Sequence, residues 1–145
     1  MTNASLSKKT VNFSSRAIEH RRALHRIPEC GLEVPLTNAY IRHALESCGL
    51  SPRDCGRGLV ADVGSAGPLI ALRADTDALP VTEETGHDFA SEIPGAMHAC
   101  GHDAHAGALL ATAELAAANP PEGFRLRFIF RSEEHTSELQ SRQVI

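Results

Sequence analysis

Apolar positions in this chain recur first at helical spacing, then alternate, then return to helical spacing. In "SSRAIEHRRALHRI", Ala17, Ile18, Leu24 and Ile27 fall on one face, Ser14 or Ser15 can cap the helix, and Pro28 stops it. The first ten or so residues are expected to fray. Pro35 to Cys48 predicts a second helix through Leu36, Ala39, Tyr40, Ala44 and Leu45, with Gly49 as its stop. "GLVADVG" and "LIALRA" are short and rich in branched apolar residues, and "GSAGP" between them predicts a hairpin-type connection. Pro80 to Ala96 is polar, and a connection that long usually carries function or irregular structure. Ala104 to about Ala118 predicts a third helix through Leu109, Leu110, Ala113 and Leu115–Ala117, stopped by "NPPEG". "FRLRFIF" alternates, with Phe124, Leu126, Phe128 and Phe130 on one face. Helices, strands, helix and strand in that order predict an α/β layer fold.

The totals narrow the function classes. A chain of 145 residues is one domain's length, and 42% hydrophobic with 22% charged residues suits a globular protein. A net charge of −4 without a basic, aromatic-laced patch argues against nucleic acid. No apolar run approaches the ~20 residues that span a bilayer, so no membrane partner is expected. The polar start "MTNASLSKKT" lacks a secretory apolar core, which makes the cytoplasm the default location. Cys30, Cys48, Cys55 and Cys100 form no C-x-x-C pair and predict free thiols.

The chemistry concentrates in "MHACGHDAH", Met97 to His105. Cys100 and His102 are two residues apart and would diverge on a helix, so one site holds both only from a turning segment. Asp103 is a good N-cap for the helix that follows, and Gly101 permits a tight turn. A thiol at that helix start should deprotonate more easily and accept a cation. His98, Asp103 and His105 then stand as groups that support the ligands or meet substrate. Spacing alone leaves a second reading open, since an isolated C-x-H arises by accident and lone histidines are often ordinary core or surface residues. "LRADTDALP" places Asp75 and Asp77 at a strand exit, where carboxylates line α/β active sites; a solvated turn is the plain alternative. His25 in "LHRIPE" reads as a helix-end histidine, and Glu83 and Glu84 as a solvated loop.

"RRALHRIPECGLE", "ALRADTDALPVTEETG" and "IPGAMHACGHDAHAGALLATA", in that order, resemble one family. It is the metal-dependent amidohydrolases that include hippurate hydrolase, N-acyl-amino-acid amidohydrolases and auxin-conjugate hydrolases, relatives of the aminoacylase metallopeptidases. The likeness runs from about Ala17 to Phe130. It implies the N-terminal part of a metallopeptidase-like catalytic domain, a central sheet flanked by helices, here incomplete. It implies hydrolysis of small N-acyl amino acids by water activated at two divalent ions of manganese, zinc or cobalt. Cys100 and His102 match its metal ligands. Asp77 and, behind it, Asp75 match positions that orient the centre in catalysis. The intact protein is expected to be longer, with its general base and remaining ligands downstream, and to form a homo-oligomer.

After Phe130 the likeness stops. Glu133–Glu134 invites alignment with the family's acidic pair, but it falls one residue early and lacks the preceding proline. Arg131 to Ser141, "RSEEHTSELQS", matches the translation of a widely used short-read sequencing adapter. Residues 1–130 are therefore expected to be the amidohydrolase portion and residues 131–145 a library-derived tail. Such a truncated chain should not hydrolyse substrate, and its last strand should form an open sheet edge. Two other readings are a small metal-binding or redox module built on Cys100 and His102 alone, and a thiol hydrolase with Cys100 as nucleophile.

Overall fold

Seven elements follow one another: α1 (Asn3–His25), α2 (Pro35–Ser47), β1 (Arg53–Cys55), β2 (Gly58–Val63), β3 (Leu69–Asp75), α3 (His102–Ala118) and β4 (Arg125–Arg131). The structure, a computed structural model, describes the backbone of residues 3–133 and the side chains of residues 13–133. The expected tail therefore lies outside the described residues from position 134 onward. No helix among the described residues is long and apolar enough to cross a membrane.

The strands form one mixed sheet in the order β1-β2-β4-β3. β2 pairs antiparallel with β4, Ala61 opposite Phe128, and β3 pairs parallel with β4, Ala74 opposite Phe130. The predicted hairpin between β2 and β3 does not form. β4 enters between them, and its alternating Phe128 and Phe130 fill the centre of the core. β4 is therefore the central strand and not the open edge expected from the sequence; the edges are β1 and β3.

One face of the sheet carries the core: Leu59, Ala61, Ala74, Phe128 and Phe130 pack with Ile41 and Leu45 of α2 and Leu110 and Ala113 of α3. Burial of that apolar surface, worth about 25 cal/mol per Å², holds the layers together. Helices cover this face alone among the described residues. The opposite face exposes Arg73 and Arg125 and pairs Asp62 with Arg127. α1 packs against α3 and runs antiparallel to it, as the pairs Arg16–Glu114 and His25–Asp103 show. Gly107 makes that approach possible, since a Cβ there would lie 2.8 Å from Ala17 O and Arg21 N.

The first helix starts earlier than Ser14 or Ser15, which lie inside it, and the expected fraying gives way to helix from Asn3. Its predicted apolar face is also corrected: Leu24 is buried, but Ile18 is 51% exposed. The helix meets α3 largely through polar groups, which hydrophobic periodicity does not register. Leu36 likewise faces solvent, and Thr37, Ile41, Ala44 and Leu45 form the buried side of α2. Gly49 ends that region with φ +84°, as predicted.

Candidate metal centre

Leu79 and Met97 exchange two backbone hydrogen bonds of 3.0 Å, which lay "MHACGH" beside the exit of β3. The chain then turns through Gly101 at φ +87°, a left-handed conformation costly for any residue with a Cβ, and α3 begins at His102. The turn brings Cys100 and His102 to one atom, the main-chain oxygen of Asp77. Cys100 Sγ lies 3.7 Å from it, and His102 Nδ1 donates to it at 2.9 Å.

A carbonyl oxygen only accepts, so His102 donates from Nδ1, which leaves Nε2 as the nitrogen turned toward the site. Nε2 faces Glu133 Oε2 at 3.1 Å. Ligand atoms of Asp75, His102 and Glu133 all lie within 4.8 Å of one another. Asp77 Oδ1 stands 3.5 Å from His102 Nδ1 and accepts the Glu133 N–H at 2.7 Å. An imidazole lone pair and carboxylate oxygens this close repel unless a proton or a cation sits among them. Arg73 offsets part of the charge through bonds of 2.8 and 2.5 Å to Asp75. The nitrogen and oxygen donors of His102, Asp75 and Glu133, with the Cys100 sulfur linked to His102 through Asp77 O, suit a divalent transition ion. They open onto a cavity of about 450 Å³ lined by Cys30, Asp77, Cys100, His102 and Glu133, with Leu79 and Pro80 as its apolar wall.

Three expectations are corrected. Burial pushes the Cys100 thiol up, and the His102 N–H, which favours thiolate, does not outweigh it. The helix start therefore leaves Cys100 protonated until a cation displaces the proton. Asp103 is not the N-cap; Gly101 is, without a side-chain cap. Asp103 instead lies 1% exposed in the first turn, where Oδ2 meets His25 Nδ1 at 2.7 Å and Arg21 Nε at 3.2 Å. His25 does end α1, as read, but it is buried there, and Glu83 is not solvated. His25 Nε2 reaches Glu83 Oε1 at 3.3 Å, and both side chains are buried. A hydrogen bond from Thr85, followed by the Ser91 N–H and His25, holds the Glu83 carboxyl below its usual range. The bridge Asp103–His25–Glu83 thus ties the start of α3 to α1 and to the polar connection.

The remaining sequence candidates divide. His98 is buried behind the site, with its ring 6.3 Å from that of His25 and neither nitrogen hydrogen-bonded. Burial takes its pKa down to about 4, so it is neutral. His105 is exposed, with its ring 6.3 Å from that of His102. Asp75 and Asp77 both reach the His102 neighbourhood. Glu133, set aside on sequence grounds, comes to the site as well; Glu134 lies outside the described residues. The sequence signal at Glu133 was the acidic pair Glu133–Glu134, set aside because it falls one residue early and lacks the preceding proline.

Comparison with known proteins gives a consistent likeness. Residues 71–145 match peptidase family M20/M25/M40. N-acetyl-L-cysteine deacetylase of Bacillus subtilis (strain 168) is 46% identical over 112 residues, which cover 72% of this chain and 27% of that protein. A much longer protein of Rhodococcus jostii (strain RHA1), named as a glutamate–cysteine ligase, is 45% identical over 134 residues, 90% of this chain but 17% of that one. Among solved structures, the Bacillus subtilis YXEP protein, a dinuclear metal binding peptidase from the M20 family, superimposes with a TM-score of 0.78 at 35% identity. That match covers 92% of this chain and 41% of that chain. The chain therefore spans well under half the length of each of these relatives.

Proposed function

Because the chain belongs to the M20/M25/M40 peptidase family, we propose that it is the N-terminal part of a metal-dependent amidohydrolase that cleaves the amide bond of N-acyl amino acids. The convergence of Cys100 Sγ and His102 Nδ1–H on Asp77 O carries this reading, because it fixes a thiol and an imidazole side by side, with Nε2 of that imidazole turned toward carboxylates. Cys100 and His102 would hold the metal, and a divalent ion of the manganese, zinc or cobalt class would supply Lewis-acid polarisation of the amide carbonyl and activation of a water. Asp77 keeps the His102 tautomer through its main-chain oxygen. Its carboxylate, together with that of Asp75, orients the centre. Asp103, through His25 and Arg21, fixes the first turn of α3, from which His102 projects. The deacylated substrate of the Bacillus subtilis relative supports a small N-acyl amino acid.

The chain spans well under half the length of its relatives; residues 131–145, although the family match runs through them, are read as a tail of foreign origin, so that Glu133 occupies a place at the site that the authentic continuation would fill. The test compares this 145-residue chain with the same chain joined to the authentic continuation of its gene after Phe130. Release of amino acid from hippurate and N-acetyl amino acids is followed with manganese, zinc or cobalt, with and without chelator. The extended protein is expected to turn over and to stop on chelation, and the short chain to show none. An extended protein that cleaves no N-acyl amino acid, or that ignores the chelator, overturns the reading. Chelator-sensitive turnover by the short chain overturns its incompleteness.

A further inference from the structure

The polar connection between β3 and α3 is ordered by its own bonds, and it clasps the last turn of α1. The Glu92 N–H donates to Arg26 O at 2.8 Å, and the Arg26 guanidinium donates to Asp88 O at 3.1 Å. Phe89 lies edge-on to His25 at 5.4 Å, with the Arg22 guanidinium over its ring at 5.0 Å. Inside the connection the Ser91 N–H donates to Glu83 Oε2 at 2.7 Å, and the other carboxylate oxygen, Oε1, faces His25 Nε2 at 3.3 Å. His25 Nδ1 in turn lies 2.7 Å from Asp103 Oδ2. Carboxyl oxygens thus face both ring nitrogens, and a proton in each gap joins the three side chains in one line. All three are buried.

The line ends beside His102. Asp103 follows it directly in the first turn of α3, and that turn has no side-chain cap. Gly101 O receives the Ala104 and His105 N–H groups at 3.0 and 3.3 Å, so the aim of the turn depends on what grips Asp103. Resting on the metal-dependent reading, we propose that Glu83 is a positioning residue for the centre: acting through His25 and Asp103, it fixes the His102 imidazole against Asp77 O. Groups that orient a ligand in this way are worth roughly 10–100-fold in metal affinity. Burying a carboxylate, an imidazole and a second carboxylate gains little stability over apolar side chains of the same volume, which fits a device kept for geometry. Glu114 gives the contrast: it joins the same two helices through Arg16 and His20, nearer the C-terminal end of α3 and away from the ligand turn.

The experiment uses the full chain with isotope-labelled histidine rings, read by NMR at one fixed pH, first without metal. The His102 ring signal, identified by its loss in His102→Ala, reports the bond from Nδ1 to Asp77 O. Glu83→Ala is expected to shift or broaden it. Glu83→Gln, which keeps an acceptor without the charge, is expected to move it the same way by less, and decides the matter if Glu83→Ala does not fold. Glu114→Ala loosens the same helix pair and is expected to leave the signal in place. A His102 signal unmoved in the Glu83 variants overturns the proposal, and so does an equal change in Glu114→Ala, which would show that general loosening suffices. Zinc is then titrated into each protein. Glu83→Ala is expected to bind it roughly 10-fold more weakly than wild type, and Glu114→Ala as wild type does. Equal zinc affinity in Glu83→Ala and wild type overturns the proposal and leaves the metal site standing. A wild-type His102 signal that ignores zinc overturns the metal reading itself, and the proposal with it.

Discussion

Helix α1 meets α3 through two carboxylate–imidazole clusters, and they are built to different standards. At the far cluster, His20 accepts from Tyr40 OH on Nδ1 at 2.8 Å and donates from Nε2 to Glu114 Oε1 at 2.9 Å. Arg16 binds the same carboxylate at 2.9 and 2.6 Å. Both nitrogens of the imidazole and both oxygens of the carboxylate have partners, and Glu114 remains 20% exposed. At the near cluster, Asp103 is all but sealed, yet its Oδ1 has no hydrogen-bond partner, and neither has either nitrogen of buried His98 beside it. An unsatisfied buried polar atom costs about 1–3 kcal/mol. The same helix pair therefore satisfies the polar groups of its far cluster and leaves part of the near one without partners. Local rules fail where a site imposes its own geometry.

The largest test of that contrast is to remove each carboxylate in turn. Asp103→Ala leaves His25 and Arg21 facing an uncompensated buried position and is expected to cost about 3–5 kcal/mol of unfolding free energy. Glu114→Ala is expected to cost about 1–2 kcal/mol, because water can reach Arg16, which is 40% exposed, and replace the lost bonds. Urea unfolding of the two variants measures both. Equal losses would show that the near cluster carries no special burden.

Much of the scaffold was readable in the chain, and the reasons for the rest are physical. Phe128 and Phe130 alternate strongly enough to mark β4 as a core strand, and Gly101 marks the turn between Cys100 and His102. The order of the strands was not readable: two apolar runs joined by "GSAGP" look like a hairpin, and only the insertion of β4 separates them. The buried face of α1 was hidden because its contacts are polar: His20, His25 and Arg21 read as solvent-facing on a hydrophobic scale. Cys100 and His102 were legible from type and spacing. Cys30 was not, since it reaches the cavity from a remote segment by way of a β-bridge, and Glu133 was noticed as one of an acidic pair but set aside on its offset, which only strand-end geometry reverses. The Cys100 thiol shows the limit of reasoning from one local field, for burial outweighs the pull of the helix start.

A smaller effect probes the completeness of the far cluster. Tyr40→Phe deletes one hydroxyl and leaves His20 Nδ1 without its 2.8 Å partner. The expected loss is about 1 kcal/mol, the ordinary worth of one such bond, with the ring packing retained. Thermal unfolding of the variant reads it directly. A loss near zero would mean that His20 re-pairs freely, and that the far cluster is looser than its geometry implies.

The smallest effect is a pH slope. The hydrogen bond from Arg16, then that from His20, holds the Glu114 carboxyl below its usual 4.5. Glu19 also pairs with Arg16, and Tyr40 touches the cluster through His20. A carboxyl whose folded pKa lies below its unfolded value adds stability that is fully present above the unfolded value, and that stability is lost as pH falls through the folded one. Asp62 and Glu83 are shifted the same way, so the acid limb of the wild-type curve is shared among them. The difference between wild type and Glu114→Gln isolates this one group. Urea midpoints should separate most above pH 4.5 and converge as the pH drops below it, with wild type the more stable at the upper end. Because Arg16 is half in water, added salt should narrow the gap. A gap that widens on acidification would reverse the sign and show that the far cluster is held by something other than the Glu114 charge.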